Sequence, residues 1–252
     1  MRRDFGRSKR YGMCEAKMAL VEIQHVSRTY HDHVDVCALK DVTLALNGGE
    51  FAAITGPSGS GKTTLLNVLG GLDRPDAGKI HVAGVDLTDT PANQLADFRL
   101  RHIGFVFQAF NLLPVLNVVE NLEFVPALQK MPRGERRRRA LDLLQAVGLE
   151  EVGRKRPNEL SGGQQQRVAV LRAIITEPEL VLADEPTANL DSSNASLLLD
   201  MMERLNREKG ITFIFSTHDP QVVRRAHRVI QLRDGAVIAD KMPTPNATPL
   251  IP

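Results

Sequence analysis

The sequence is poor in cysteine and has no long apolar run. Its two cysteines, Cys14 and Cys37, form no CxxC pair, and free thiols in a reducing compartment are expected. No apolar run approaches the roughly 18–20 residues that a membrane-spanning helix needs. No apolar segment follows the basic N-terminus as in a secretory leader, so the chain is expected to stay in the cytosol. Strong charge is also missing, since the formal net charge is +2. Residues 1–17 carry six bases and two acids, which leaves the remainder weakly acidic. That balance argues against a nucleic-acid partner.

What remains is an ordinary globular composition, 25% charged and 42% apolar, on 252 residues, enough to bury a sizeable core. Residues 1–18 lack apolar periodicity and are expected to form a disordered basic arm. Met18 stands directly before the first strand-like run, so translation is expected to begin there or the arm to be inert; the alternative is an arm touching anionic lipid or a partner. Residues 241–252, with four prolines, should be an irregular tail.

Between these ends, short β runs ("LVEIQHV", "LKDVTLAL", "FAAIT") fill 19–55, the second alternating like a half-exposed antiparallel strand. Helical patterns follow Gly61 and cover 92–102, 117–149 (broken at "KMPRG"), 162–175 and 193–209. Strands are expected at 103–108, 179–184 and 211–217, with a closing hairpin around Asp234–Gly235. The alternation implies an α/β fold with a mostly parallel sheet covered on both faces. A helix-rich stretch from about 90 to 165 reads as an inserted helical lobe.

"GPSGSGKT" at 56–63 fits the P-loop pattern in full, after a predicted strand and before a helix. Gly56, Gly59 and Gly61 allow tight turns that aim several N–H groups inward, and the helix adds its positive end. Lys62 supplies charge for the β- and γ-phosphates, and the Thr63 hydroxyl can reach Mg²⁺. Such charge-assisted hydrogen bonds contribute about 1.5–3 kcal/mol each. "LVLADE" ends a buried strand with Asp184, a metal carboxylate, and Glu185, which can polarise a water. "FIFSTHDP" places His218 at the mouth of another strand, where it can reach a γ-phosphate, and Gln108 ends "IGFVFQ", where it can reach Mg²⁺ or the attacking water.

A second glycine element, "LSGGQ" at 160–164, precedes another helix. With the P-loop, "LVLADE", "NLD" at 189–191 and His218, in that order, the chain over roughly 19–240 resembles the nucleotide-binding subunits of ABC transporters. The resemblance implies a P-loop NTPase core with an antiparallel β subdomain and an inserted helical subdomain. It implies ATP and Mg²⁺ as ligands and hydrolysis by Glu185, His218, Gln108 and Lys62. Nucleotide contacts would come from Tyr30, which lies 26 residues before Gly56 and would stack on adenine, and from Gly56, Pro57, Ser58, Gly59, Ser60, Gly61, Lys62, Thr63 and Thr64. Thr63, Gln108 and Asp184 would hold the metal.

In that family two copies pair head-to-tail, so Ser161, Gly162, Gly163 and Gln164 would serve the partner's ATP, and Asp191 would lie in the loop bridging the two sites. The expected partners are therefore a second copy of the chain and an integral-membrane permease, at the cytoplasmic face of the cell membrane. "RHIGFVFQAFNLLP" and "LADEPTANLD" are similar to the ATPases of the lipoprotein-release and macrolide-efflux group. A cell-division relative shares much of this wording, and the alternative function is a regulatory ATPase of a cell-division or signalling membrane complex without cargo transport. Leu171 departs from the group, standing where a small residue is usual.

Two other signals carry less. The four arginines 136–139 spread around a helix without interleaved aromatics, which suits a solvated face better than nucleic acid. "HDH" at 31–33 lacks a third metal ligand at useful spacing.

Overall fold

The computed structural model describes residues 19–31 and 35–242. The expected N-terminal arm, nearly all of the Pro-rich tail, Cys14, Asp32 and His33 lie outside the described residues.

The chain opens with β1 (Val21–His31) and β2 (Asp35–Leu46), an antiparallel pair with Val21 opposite Leu46. β3 (Phe51–Thr55) leads through a glycine-rich loop into α1 (Lys62–Leu69). β4 (Ala77–Val82) and β5 (Val85–Asp86) form a hairpin that the sequence reading missed. Its two-residue turn is Ala83–Gly84, both at positive φ, and alanine in the first turn position hides the usual Asn-Gly or Asp-Gly signal. α2 (Ala92–His102) runs directly into β6 (Ile103–Val106).

α3 (Val118–Leu128) starts at an Asn117/Glu120 capping box, and α4 (Arg133–Ala146) follows after the break expected near "KMPRG". Then come α5 (Gly162–Ile174), β7 (Leu180–Asp184), α6 (Ser192–Lys209), β8 (Thr212–Ser216), α7 (Pro220–Arg225), β9 (Arg228–Arg233) and β10 (Ala236–Lys241). The short α7 was not legible beforehand. The β9–β10 turn is Asp234–Gly235, both at positive φ, as its dipeptide signals.

Two sheets result. β2-β1-β4-β5 is antiparallel throughout. The central sheet runs β10-β9-β3-β8-β7-β6, with β9 to β6 parallel and β10 antiparallel at the edge. This is an α/β P-loop core with an antiparallel subdomain. β6 lies inside the stretch of about 90–165 expected as a helical lobe, yet it is a strand of the central sheet, and α2 buries Leu95 and Phe98 beside that sheet. α3 and α4 pack on each other, and α3 also packs on α5.

The central strands are apolar at successive positions because both faces are covered. Phe51, Val181, Phe213 and Phe215 point into a cluster shared with α5 and α6. Their neighbours Ala52, Ile54, Leu182 and Ile214 point the other way, into a cluster shared with α1 and the antiparallel sheet. Leu171, the departure noted above, is fully buried in the first cluster. The four arginines of α4 diverge as their spacing implies: Arg136 and Arg137 reach Glu123 on α3, Arg138 pairs with Asp142 and Arg139 with Glu135.

Candidate functional site

The strands β3, β7 and β8 run in the same direction, so the residues following them emerge at one edge of the sheet. The loop after β3 is closely wrapped. Gly56 has φ 153° and Gly61 φ 101°, and a methyl group on either would meet a carbonyl oxygen, Leu232 O at 2.2 Å or Ala38 O at 2.3 Å. Only glycine fits those two positions. The closing hairpin braces the loop further, with Gly235 N donating to Ser60 O at 3.1 Å.

Lys62 opens α1, which has no side-chain cap. The residue is largely buried, and its ammonium donates to Gly56 O at 2.9 Å and Pro57 O at 3.0 Å. No carboxylate among the described residues pairs with it. A largely enclosed cation held by carbonyls alone is suited to receive an anion. Thr63, the next residue, donates from Oγ1 to the Asp184 carboxylate at 3.2 and 3.3 Å, across 121 residues of sequence.

Glu185 follows at once with φ 45°, a left-handed backbone that costs a side-chain-bearing residue about 1–2 kcal/mol. The turn is held by Glu185 N donating to Ser216 O at 2.9 Å and Ala188 N donating to Glu185 O at 3.2 Å. The Glu185 carboxylate is mostly buried and lies 2.8 Å from Nδ1 of His218, whose side chain is exposed. Lys62, Thr63, Asp184, Glu185 and His218 therefore share one edge. Gln108, two residues past β6, is exposed; its carbonyl accepts from Asn189 Nδ2 at 2.9 Å, and no hydrogen bond links its amide to Thr63 or Asp184 among the described residues.

The second glycine element caps α5. Ser161 Oγ accepts from Gln164 N at 3.3 Å while Ser161 N donates to Gln164 Oε1 at 3.0 Å. The two glycines differ. Gly162 has only ordinary contacts, but a methyl on Gly163 would meet Asn194 Oδ1 at 2.5 Å. Gly163 thus lets α5 pack on the start of α6. Asp191 caps α6, accepting from the N–H groups of Ser193 and Asn194 and from both of their side chains, and these bonds hold its carboxyl well below the usual carboxylate range. Tyr30 donates to Asp73 at 2.7 Å and carries the Arg28 guanidinium 4.8 Å above its ring. Burial and the Asp73 carboxylate push its phenol pKa up.

A protein-family model described as ABC transporter matches residues 39–188, more than half of the chain. The chain belongs to the ABC transporter family. The ATP-binding protein YtrE of Bacillus subtilis is 44% identical over 223 residues, covering 86% of this chain and 96% of YtrE. The macrolide export ATP-binding/permease protein MacB of Sodalis glossinidius is 45% identical over 236 residues; the match covers 92% of this chain but 36% of that longer protein. Among solved structures, the dimeric ATP-binding cassette MJ0796 in a post-hydrolysis state bound to ADP and Pi superposes with a TM-score of 0.80 at 41% identity, covering 88% of this chain and 98% of that one. This ABC ATPase thus has the cassette fold, and its activity class is ATP hydrolysis.

Several residues of the ABC cassette escaped the sequence reading. Arg172 of α5 donates to the carbonyls of Phe110 at 3.1 Å and Asn111 at 2.5 Å, two residues at positive φ just after Gln108. Burial without a counter-charge lowers its pKa. Nothing local marks such an arginine, because its partners are backbone atoms about sixty residues away. Arg172→Met should remove both bonds and lower stability by about 1–3 kcal/mol. A thermal melt showing no decrease would contradict this clamp.

Proposed function

We propose that the chain is the ATP-hydrolysing subunit of a membrane transporter, acting as a head-to-tail homodimer that drives a permease. The observation that carries this is the Lys62 ammonium, without a carboxylate partner among the described residues, at the same sheet edge as Thr63, Asp184, Glu185 and His218. In this reading Lys62 and the first N–H groups of α1 bind the triphosphate, together with the loop from Gly56 through Gly61 and the side of Thr64. Tyr30 packs on the base. Glu185 takes up the proton of the attacking water, and His218 orients the Glu185 carboxylate.

Thr63 and Asp184 are the residues that would hold Mg²⁺. Their oxygens already lie 3.2–3.3 Å apart, and hard oxygen donors suit that ion. Among the described residues no cluster of three or more His, Cys, Asp or Glu could hold a metal. That agrees with an ion bound through one or two carboxylates together with substrate phosphates. When bound, Mg²⁺ would offset the charge on those phosphates. Gln108 is the remaining candidate ligand.

Dimerisation accounts for the second glycine element. No hydrogen bond joins residues 161–164 to the loop at 56–63 among the described residues, so Ser161 and the N–H of Gly162 are available to a second copy. The dimeric form in which MJ0796 was solved supports a pairing of two copies. No helix among the described residues is long and apolar enough to cross a membrane. The permease in this proposal is an integral-membrane partner of the cassette. Its dock is the groove of about 330 Å³ between α2, β6 and α3, lined by Leu72, Leu100, Phe105, Phe107 and Val125. The permease-fused MacB relatives favour release or efflux of a substrate as the transported step.

A gentle-detergent pull-down of the tagged chain tests this. A stoichiometric permease with four membrane helices and a large periplasmic domain is expected. Recovery with nucleic acid or cytosolic partners would overturn the transporter reading and leave the ATPase.

A further inference from the structure

We propose that Gln166 is the positioning residue for Glu185. It ties the helix that begins at Ser161 to the water-polarising carboxylate of the same chain. The proposal rests on the assignment of Glu185 above.

Gln166 is fully buried on α5, and its Nε2 donates to Pro186 O at 2.8 Å. The direction of the amide is determined, because a carbonyl oxygen only accepts. Its Oε1 finds no hydrogen-bond partner among the described residues. A methionine would fill the same space without burying an unpaired oxygen. The single bond to Pro186 is what distinguishes glutamine there.

That bond lands on the residue joined to Glu185. Glu185 has the left-handed backbone described above, fixed on one side by Ser216 O and on the other by Ala188 N. Pro186 has no N–H, so its carbonyl is the group through which a neighbouring element can hold its orientation. Gln166 supplies that hold from α5. Gly163, three residues earlier and on the same helix face, packs against Asn194. α5 therefore touches both ends of the 186–194 segment, and its N-terminus carries Ser161 and Gly162. A shift of that N-terminus turns the Pro186 carbonyl and, with it, Glu185. In a head-to-tail dimer, contact of Ser161 with the partner's nucleotide is thereby read by the chain's own carboxylate.

The test uses Gln166→Met, which keeps length and loses the donor, and Gln166→Glu, which sets an acceptor against the Pro186 carbonyl. For Gln166→Met, kcat should fall about 10- to 100-fold, as expected when a reacting group is misplaced. KM for ATP should hold, and Gln166→Glu should be slower still. In a Glu185→Gln background, adding Gln166→Met should lower the single-turnover rate no further and leave ATP-driven dimerisation unchanged. Wild-type kcat in Gln166→Met, or an equal fractional loss in both backgrounds, overturns the proposal and leaves Gln166 a packing role. The double variant also keeps the test readable if the single variant melts early. Wild-type turnover in Glu185→Gln alone is a different result: it removes the assignment of Glu185 and the proposal with it.

Discussion

Glu185→Gln should reduce ATP turnover by about 10²- to 10⁴-fold, the usual contribution of a positioned general base. ATP binding should survive. The amide keeps the shape of the carboxylate and can still hydrogen-bond His218, 2.8 Å away in the native pair. Lys62, Thr63 and Asp184 remain as they are, so the phosphate end of the pocket is untouched. With binding intact and cleavage lost, the dimer should accumulate closed on ATP, visible as an ATP-dependent shift to twice the monomer mass in size-exclusion chromatography. Turnover at the wild-type rate would remove Glu185 from the chemistry.

The second large effect is expected from Ser161→Arg. Ser161 is exposed at the N-terminus of α5, where it accepts from Gln164 N. Arginine loses that cap, at about 1 kcal/mol, and fills the space before Gly162. If the element serves the second copy, hydrolysis should fall about 10²- to 10³-fold, as when one donor to a developing charge is removed. ATP affinity of the isolated monomer should scarcely change. Equilibrium binding to monomers separates the alternatives, because a large loss of affinity there would place Ser161 in its own chain's pocket. A melting curve keeps the lost cap apart from the lost chemistry.

Local signals announced much of this molecule. The P-loop could be read because its glycines, lysine and threonine are neighbours in sequence and each has a reason of its own. The two clashes a methyl group would make at Gly56 and Gly61 account for two of those glycines. Asp184, Glu185 and His218 were legible because polar residues ending apolar strands point to the open edge of a parallel sheet. The missed parts share a different cause. The β4–β5 hairpin lacks a strong turn dipeptide, and Arg172 and Gln166 bond to main-chain carbonyls distant in sequence. Side chain-to-backbone bonds leave no complementary residue type for a pattern to reveal.

Spacing also leaves jobs unassigned within a motif. Gly162 and Gly163 are adjacent and identical in sequence. Tertiary packing separates them, since one is open and the other is pressed against Asn194. Asp191, expected in a loop between two copies, caps α6 within its own chain, a role that the motif does not announce.

By itself, then, the sequence determined the class of fold, the phosphate loop and the order of the motifs. Those are properties of neighbouring residues and of periodicity. The tertiary structure decided which distant groups meet. It set Thr63 against Asp184, Glu185 against His218, and Gln166 against Pro186. It did so because parallel strands bring their ends to one edge, and a helix packed across that edge reaches segments that are remote along the chain.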